Sequence, residues 1–171
     1  LAPPAPAGMQ LGNYDLLTYW AVMQAPDAFE ELFRGPDSTF DLANNARQSS
    51  ATRMLYLHGG MHLVKNIDGS TRLLNSSEST LLASFAINHL GDIPLFVSEG
   101  SSADKLKAIR SSDFLSFCYS QLAQPKEALC VFGHNLAAQD QHLVQALQQA
   151  GLKTLALSIY PHNPLFIQQQ K

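Results

Sequence analysis

A chain of 171 residues, 46% hydrophobic and 15% charged, carries enough apolar side chains for one domain with a proper core. Its 11 basic and 14 acidic residues give a net charge of -3 and form no Lys/Arg cluster, which argues against a nucleic-acid-binding face. No run approaches the roughly 18 apolar residues of a membrane span. Cys118 and Cys130 are too few for a disulfide framework or a zinc ribbon, so they read as small buried hydrophobes in a cytoplasmic protein.

The chain starts with a Pro/Ala tract, Leu1-Ala2-Pro3-Pro4-Ala5-Pro6-Ala7-Gly8, and residues 1–10 read as a linker or a trimmed end. Met9 to Leu11 reads as a short apolar stub with strand character. Asp15 suits the N-cap or first turn of a helix through Leu16, Leu17, Trp20, Ala21 and Met23, which Pro26 ends. The spacing of Phe29, Leu32 and Phe33 predicts a second short helix over Asp27 to Phe33, closed by Gly35-Pro36. Residues 36–51 are polar and read as a loop.

Arg53 to Leu57 predicts a buried strand. Asp68-Gly69, between the apolar runs His62-Leu63-Val64 and Thr71-Arg72-Leu73-Leu74, predicts a small β-hairpin near 61–74. Ser76 or Ser77 can cap a helix from Glu78 to about His89. Ile93 to Val97 reads as a further buried strand, ending in Ser98-Glu99-Gly100. Ser101-Ser102 opens a helix with Lys105, Leu106 and Ile109. Another helix spans about Ser112 to Leu122. Ala128 to Phe132 is a strand, Ala138 to Ala150 a helix closed by Gly151, and Thr154 to Ile159 a last strand. The final residues, 165–171, are expected to fray. Strands and helices alternate, and the strands are continuous apolar runs. That pattern predicts an α/β domain over 11–164: a mostly parallel sheet covered on both faces, hence three layers, plus the hairpin.

Three segments place polar residues after apolar ones. Tyr56-Leu57-His58-Gly59-Gly60 puts an imidazole at a strand end, where it serves either as a hydrogen-bonded structural group or as a catalytic one. Gly59 and Gly60 would let a ligand approach the backbone. His62 stands four residues after His58, but a metal pair at that spacing needs a helix, which the glycines oppose, so no metal is expected. Asn13-Tyr14-Asp15 precedes a helix, so that Asp15 either caps it or lies with Asn13 beside a bound sugar. Gly133-His134-Asn135 also leads into a helix, as a plain turn or as a cradle of N–H groups for an anion. Glu99 is read as pointing to the same sheet edge. Asp140 and His142 read as exposed residues of the last helix. No Gly-x-Gly-x-x-Gly or Gly-x-Ser-x-Gly motif is present.

Taken in order, these segments resemble the motifs of bacterial sirtuin-like domains. Asn13-Tyr14-Asp15 resembles their Thr-Asn-Tyr-Asp motif, and Leu57-His58-Gly59 their Leu-His-Gly motif. Phe132-Gly133-His134-Asn135-Leu136, with Asp140 downstream, resembles their Gly-x-Ser/Asn-Leu turn. Pro94 to Gly100 and Ile109-Arg110-Ser111 are similar to an uncharacterised branch of that group. The resemblance runs from residue 11 to about 160.

It implies a Rossmann-like sheet that binds NAD. Asn13 and Asp15 would lie near the nicotinamide ribose, His58 would be the general base, and Gly59, Glu99, Gly133, His134 and Asn135 would line the cofactor. An imidazole with an ordinary pKa of about 6.5 suits that role. The zinc-binding cysteines of deacylating sirtuins are absent, so the implied activity is hydrolysis of the nicotinamide–ribose bond rather than protein deacylation. The Gly-rich strand-turn-helix that cradles the pyrophosphate would precede residue 11, so the chain is expected to be trimmed or a shortened member. A non-catalytic interaction module with a degenerate nucleotide pocket is the alternative. The expected partners are a second copy or an upstream domain, with neither nucleic acid nor membrane.

Overall fold

The structure is a computed structural model, which describes residues 9–11, 17–44, 51–74, 93–124, 128–132, 136–157 and 168. Strand β1 (Met9–Leu11) pairs in parallel with β3 (Thr52–Tyr56) on one side and with β7 (Ala128–Phe132) on the other. Beyond β3 lies β2 (Phe29–Glu30), and beyond β7 lies β8 (Thr154–Leu157). The parallel sheet therefore has the order β2-β3-β1-β7-β8. The stub at Met9 is its central strand. After β3 the chain crosses to the far side of β1, so the strand order reverses there. The register sets Leu11 level with both Tyr56 and Phe132, so three neighbouring strands end together.

The expected hairpin is present. It consists of β4 (Gly59–Lys65) and β5 (Thr71–Leu73) around Asp68-Gly69, where Gly69 has a φ of 88° and the Asp68 carboxylate accepts from the Ser70 amide at 2.9 Å. It starts at Gly59, because the chain turns at Leu57-His58 straight into β4. The strand β6 (Ile93–Phe96) corrects the expectation of a further parallel strand. It pairs antiparallel with β4 and lies at the edge of a separate sheet, β5-β4-β6. Pro94, which cannot donate to a ladder, is suited to that edge, and Ile93 and Phe96 are exposed.

Helix α1 (Leu17–Gln24) stops before Pro26 as expected. The helix read over 27–33 does not form. A single 3-10 turn at Pro26–Ala28 gives way to the extended β2. Pairing with β3 holds the segment open, and so does the buried Glu30 carboxylate, which accepts from Arg34 and, at 3.2 Å, from Arg53 of β3. Helix α2 (Ser102–Arg110) opens with a full capping box between Ser101 and Asp104. Ser112 caps α3 (Asp113–Leu122), which buries Phe114, Leu115, Cys118 and Leu122 in the core with Met54, Leu55 and Leu57. A 3-10 turn (Ala138–Asp140) precedes α4 (Gln141–Gln149).

Not every strand is covered on both faces, since Thr154, Leu155 and Ala156 of the edge strand β8 are exposed. The helix expected over 78–89 lies outside the described residues, as do the end of the last strand and, Gln168 apart, the C-terminal tail. Among the described residues no helix is long and apolar enough to cross a membrane.

Candidate functional site

His58 follows the C-terminal end of β3 and is buried, with 1% of its surface exposed. Its Nε2 lies 3.2 Å from Nε2 of His142, the second residue of α4. Asp140 Oδ1 is 3.8 Å from the same His58 nitrogen and accepts from the ammonium of Lys105 at 2.8 Å. All of these side chains are buried. The other ring nitrogen of His142, Nδ1, is 3.0 Å from Ser102 Oγ, which also accepts the His142 backbone N–H at 2.9 Å. Tyr119 of α3 donates its hydroxyl to the His142 carbonyl at 2.9 Å. Residues at the starts of α2 and α4 thus meet just past the end of β3.

This overturns the reading of Asp140 and His142 as exposed. The sequence does contain the signal. Along α4 the buried residues are His142, Leu143, Ala146 and Leu147, so His142 lies on the apolar stripe of a helix of period 3.6. Lys105 likewise shares the buried stripe of α2 with Ile109. Asp140 stands at the N-cap of α4, a position where Asp usually bonds the first turn, yet its side chain makes no cap bond. Its carboxylate is held by Lys105 instead, and Ser102 from another helix caps the turn in its place.

Of the other sequence candidates, Glu99 is exposed between β6 and α2, and it does not end a strand of the parallel sheet. Gly59 and Gly60 are needed for packing. A Cβ on Gly59, whose φ is 76°, would stand 2.0 Å from the Leu95 carbonyl oxygen of β6, and one on Gly60 would stand 2.7 Å from the His62 ring. The close approach they permit is to the protein's own groups. Asn13, Asp15, Gly133, His134 and Asn135 lie outside the described residues. In sequence, though, residues 12 and 133 directly follow the ends of β1 and β7, the strands level with the end of β3. Leu136, next after Asn135, has a φ of 48°, a left-handed conformation that a branched side chain adopts at a cost.

The ligand atoms of His58, Asp140 and His142 lie within 4.8 Å of one another. The Lys105 ammonium against Asp140 already supplies a cation there, so the group is built as an ion pair beside an imidazole pair. Such a group can take up and pass on a proton. A family model described as a domain of unknown function, DUF4917, matches residues 9–171, from the first residue of β1 onward. The chain belongs to the DUF4917 family. The match takes in the parallel sheet and the whole His58 cluster. No curated protein matches the chain.

Proposed function

We propose that the chain is a sirtuin-like, Rossmann-like three-layer domain that binds NAD and hydrolyses its nicotinamide–ribose bond, with His58 as general base. One observation carries the reading. A buried histidine stands just past the end of β3, beside the strand at which the sheet order reverses, and a second imidazole holds it. Open parallel sheets bind their ligands outside the carboxyl ends of the strands at that reversal. The segments that resemble sirtuin motifs, 13–15 and 133–135, follow in sequence β1 and β7, whose ends are level with that of β3.

The donor set suits the substrate. Hydrolysis breaks the bond between the nicotinamide nitrogen and the anomeric carbon, forms a bond from that carbon to a water oxygen, and leaves one proton to be taken up. His58 takes that proton. Asp140, at 3.8 Å, stands as counter-charge to the imidazolium, while its pairing with Lys105 keeps the carboxylate from being buried alone. Asn13 and Asp15 would orient the ribose, and Gly133, His134 and Asn135 would face the adenosine half.

The test is nicotinamide release from NAD by the purified protein. Release is expected, and His58→Ala should reduce it by about 10²-fold or more in a protein that still folds. If NAD is neither cleaved nor able to raise the melting temperature, the reading fails. A second reading, an interaction module without catalysis, has one observation in its favour: Trp20 and Met23, three residues apart on α1, are 52% and 47% exposed. Self-association lost in Trp20→Ser, measured by sedimentation in a protein inert toward NAD, would favour it.

A further inference from the structure

We propose that His58, His142 and Ser102 form a proton relay that carries the proton taken up at the buried His58 out to the start of α2, an inference that rests on the general-base role of His58. The two Nε2 atoms face each other at 3.2 Å, so one hydrogen lies between them, donated by one ring and accepted by the other. On its far side His142 Nδ1 faces Ser102 Oγ at 3.0 Å. That oxygen accepts the His142 backbone N–H and keeps one hydrogen and one lone pair, so it can either donate to Nδ1 or accept from it. Ser102 is only half-buried and follows the exposed Ser101.

Two arrangements satisfy every one of these bonds. In the first, Nδ1–H of His142 donates to Ser102, Nε2–H of His58 donates to His142, and His58 Nδ1 carries a lone pair. In the second, the Ser102 hydroxyl donates to His142 Nδ1, Nε2–H of His142 donates to His58, and His58 holds its hydrogen on Nδ1. They differ by the passage of one proton. A proton arriving on His58 Nδ1 forms one N–H bond. The Nε2 hydrogen of His58 moves to His142, the Nδ1 hydrogen of His142 moves to Ser102, and the former Ser102 hydrogen leaves to solvent. Each bond formed matches one broken, and nothing is oxidised or reduced.

The groups facing the relay fit it. Asp140 lies 3.8 Å from His58 Nε2, beyond hydrogen-bond length but close enough to act as counter-charge while a ring is doubly protonated. Lys105 is turned to Asp140, and Tyr119 holds the His142 carbonyl and stacks on its ring at 6.2 Å between centroids. His142 is thus a positioning residue that also passes the proton, and Ser102 is the exit.

The decisive measurement is ring-nitrogen NMR of the intact protein without substrate. His58 and His142 are expected to hold opposite tautomers, and Ser102→Ala should shift the proportion of the two arrangements. If both rings carry hydrogen on the same nitrogen, the relay is overturned. With NAD, His142→Gln, which can still bond His58 but cannot pass a proton through, should lower turnover about 10²-fold and change the pH profile, with the melting temperature near that of the parent protein. Full turnover with an unchanged profile overturns the relay. Opposite tautomers in a protein inert toward NAD would support the relay and sink the NAD reading alone.

Discussion

His62 sits four residues after His58 and shares none of its connections. Its ring is packed between Tyr19, at 5.1 Å between centroids, and Tyr56, at 4.7 Å, and neither nitrogen has a hydrogen-bond partner among the described residues. Burial pushes its pKa down from 6.5 to about 4. The folded protein therefore holds His62 neutral, whereas the unfolded chain takes up a proton as soon as the pH falls below about 6.5. The stability this preserves is complete above that value and is lost as the pH falls towards 4, by about 3 kcal/mol at most. Urea denaturation at a series of pH values should show the wild type losing that much more than His62→Leu over this window. Parallel curves would mean that His62 is not held neutral by the fold. Side by side in sequence, His58 and His62 look interchangeable. Only their neighbours, an imidazole for one and two phenol rings for the other, separate a member of a polar cluster from a packed ring.

The elements show what local pattern can and cannot carry. Two helix starts were legible: helices begin at Ser101-Ser102 and at about Ser112, where each N-cap serine accepts from an amide only three residues away. The Asp68-Gly69 turn was legible for the same reason. The segments 27–33 and 93–97 were not. Their apolar residues suit a helix and a buried parallel strand, but β2 is held by Arg53 of β3 and β6 by the antiparallel approach of β4. That approach gives a measurable contrast. Gly59→Ala meets both a left-handed φ and the Leu95 carbonyl oxygen, whereas Gly69→Ala at a similar φ meets open space. Chemical denaturation should show a loss of about 1–2 kcal/mol for Gly69→Ala and of about 2–4 kcal/mol for Gly59→Ala. Equal losses would mean that β4 and β6 give way freely at that point.

At the scale of the molecule, the Lys105–Asp140 pair joins α2 to the 3-10 turn before α4, beside His58 at the end of β3. Both side chains are nearly inaccessible, with 5% and 4% of each residue exposed, so removing Lys105 takes the ammonium at 2.8 Å away from a buried carboxylate. Lys105→Met should cost about 3–5 kcal/mol, and Lys105→Met/Asp140→Leu should recover a good part of it. Calorimetry checks both, and a single variant as stable as the parent would mean that Asp140 finds another cation.

By itself the sequence determined the local and periodic features: the breaks, the caps, the hairpin turn, the alternation of strand and helix, and the position of His58 after an apolar run. These follow from interactions within a few residues. The tertiary structure alone decided which strands join which sheet, that β1 lies at the centre, and that His58 meets His142 and Asp140, which in turn meet Ser102 and Lys105. Those residues lie up to 84 positions from His58 in the chain. No local propensity encodes contacts at that range. They form because burying the apolar stripes of α2 and α4 carries Lys105 and His142 inward with them, and a buried charge or imidazole must then find its partner there.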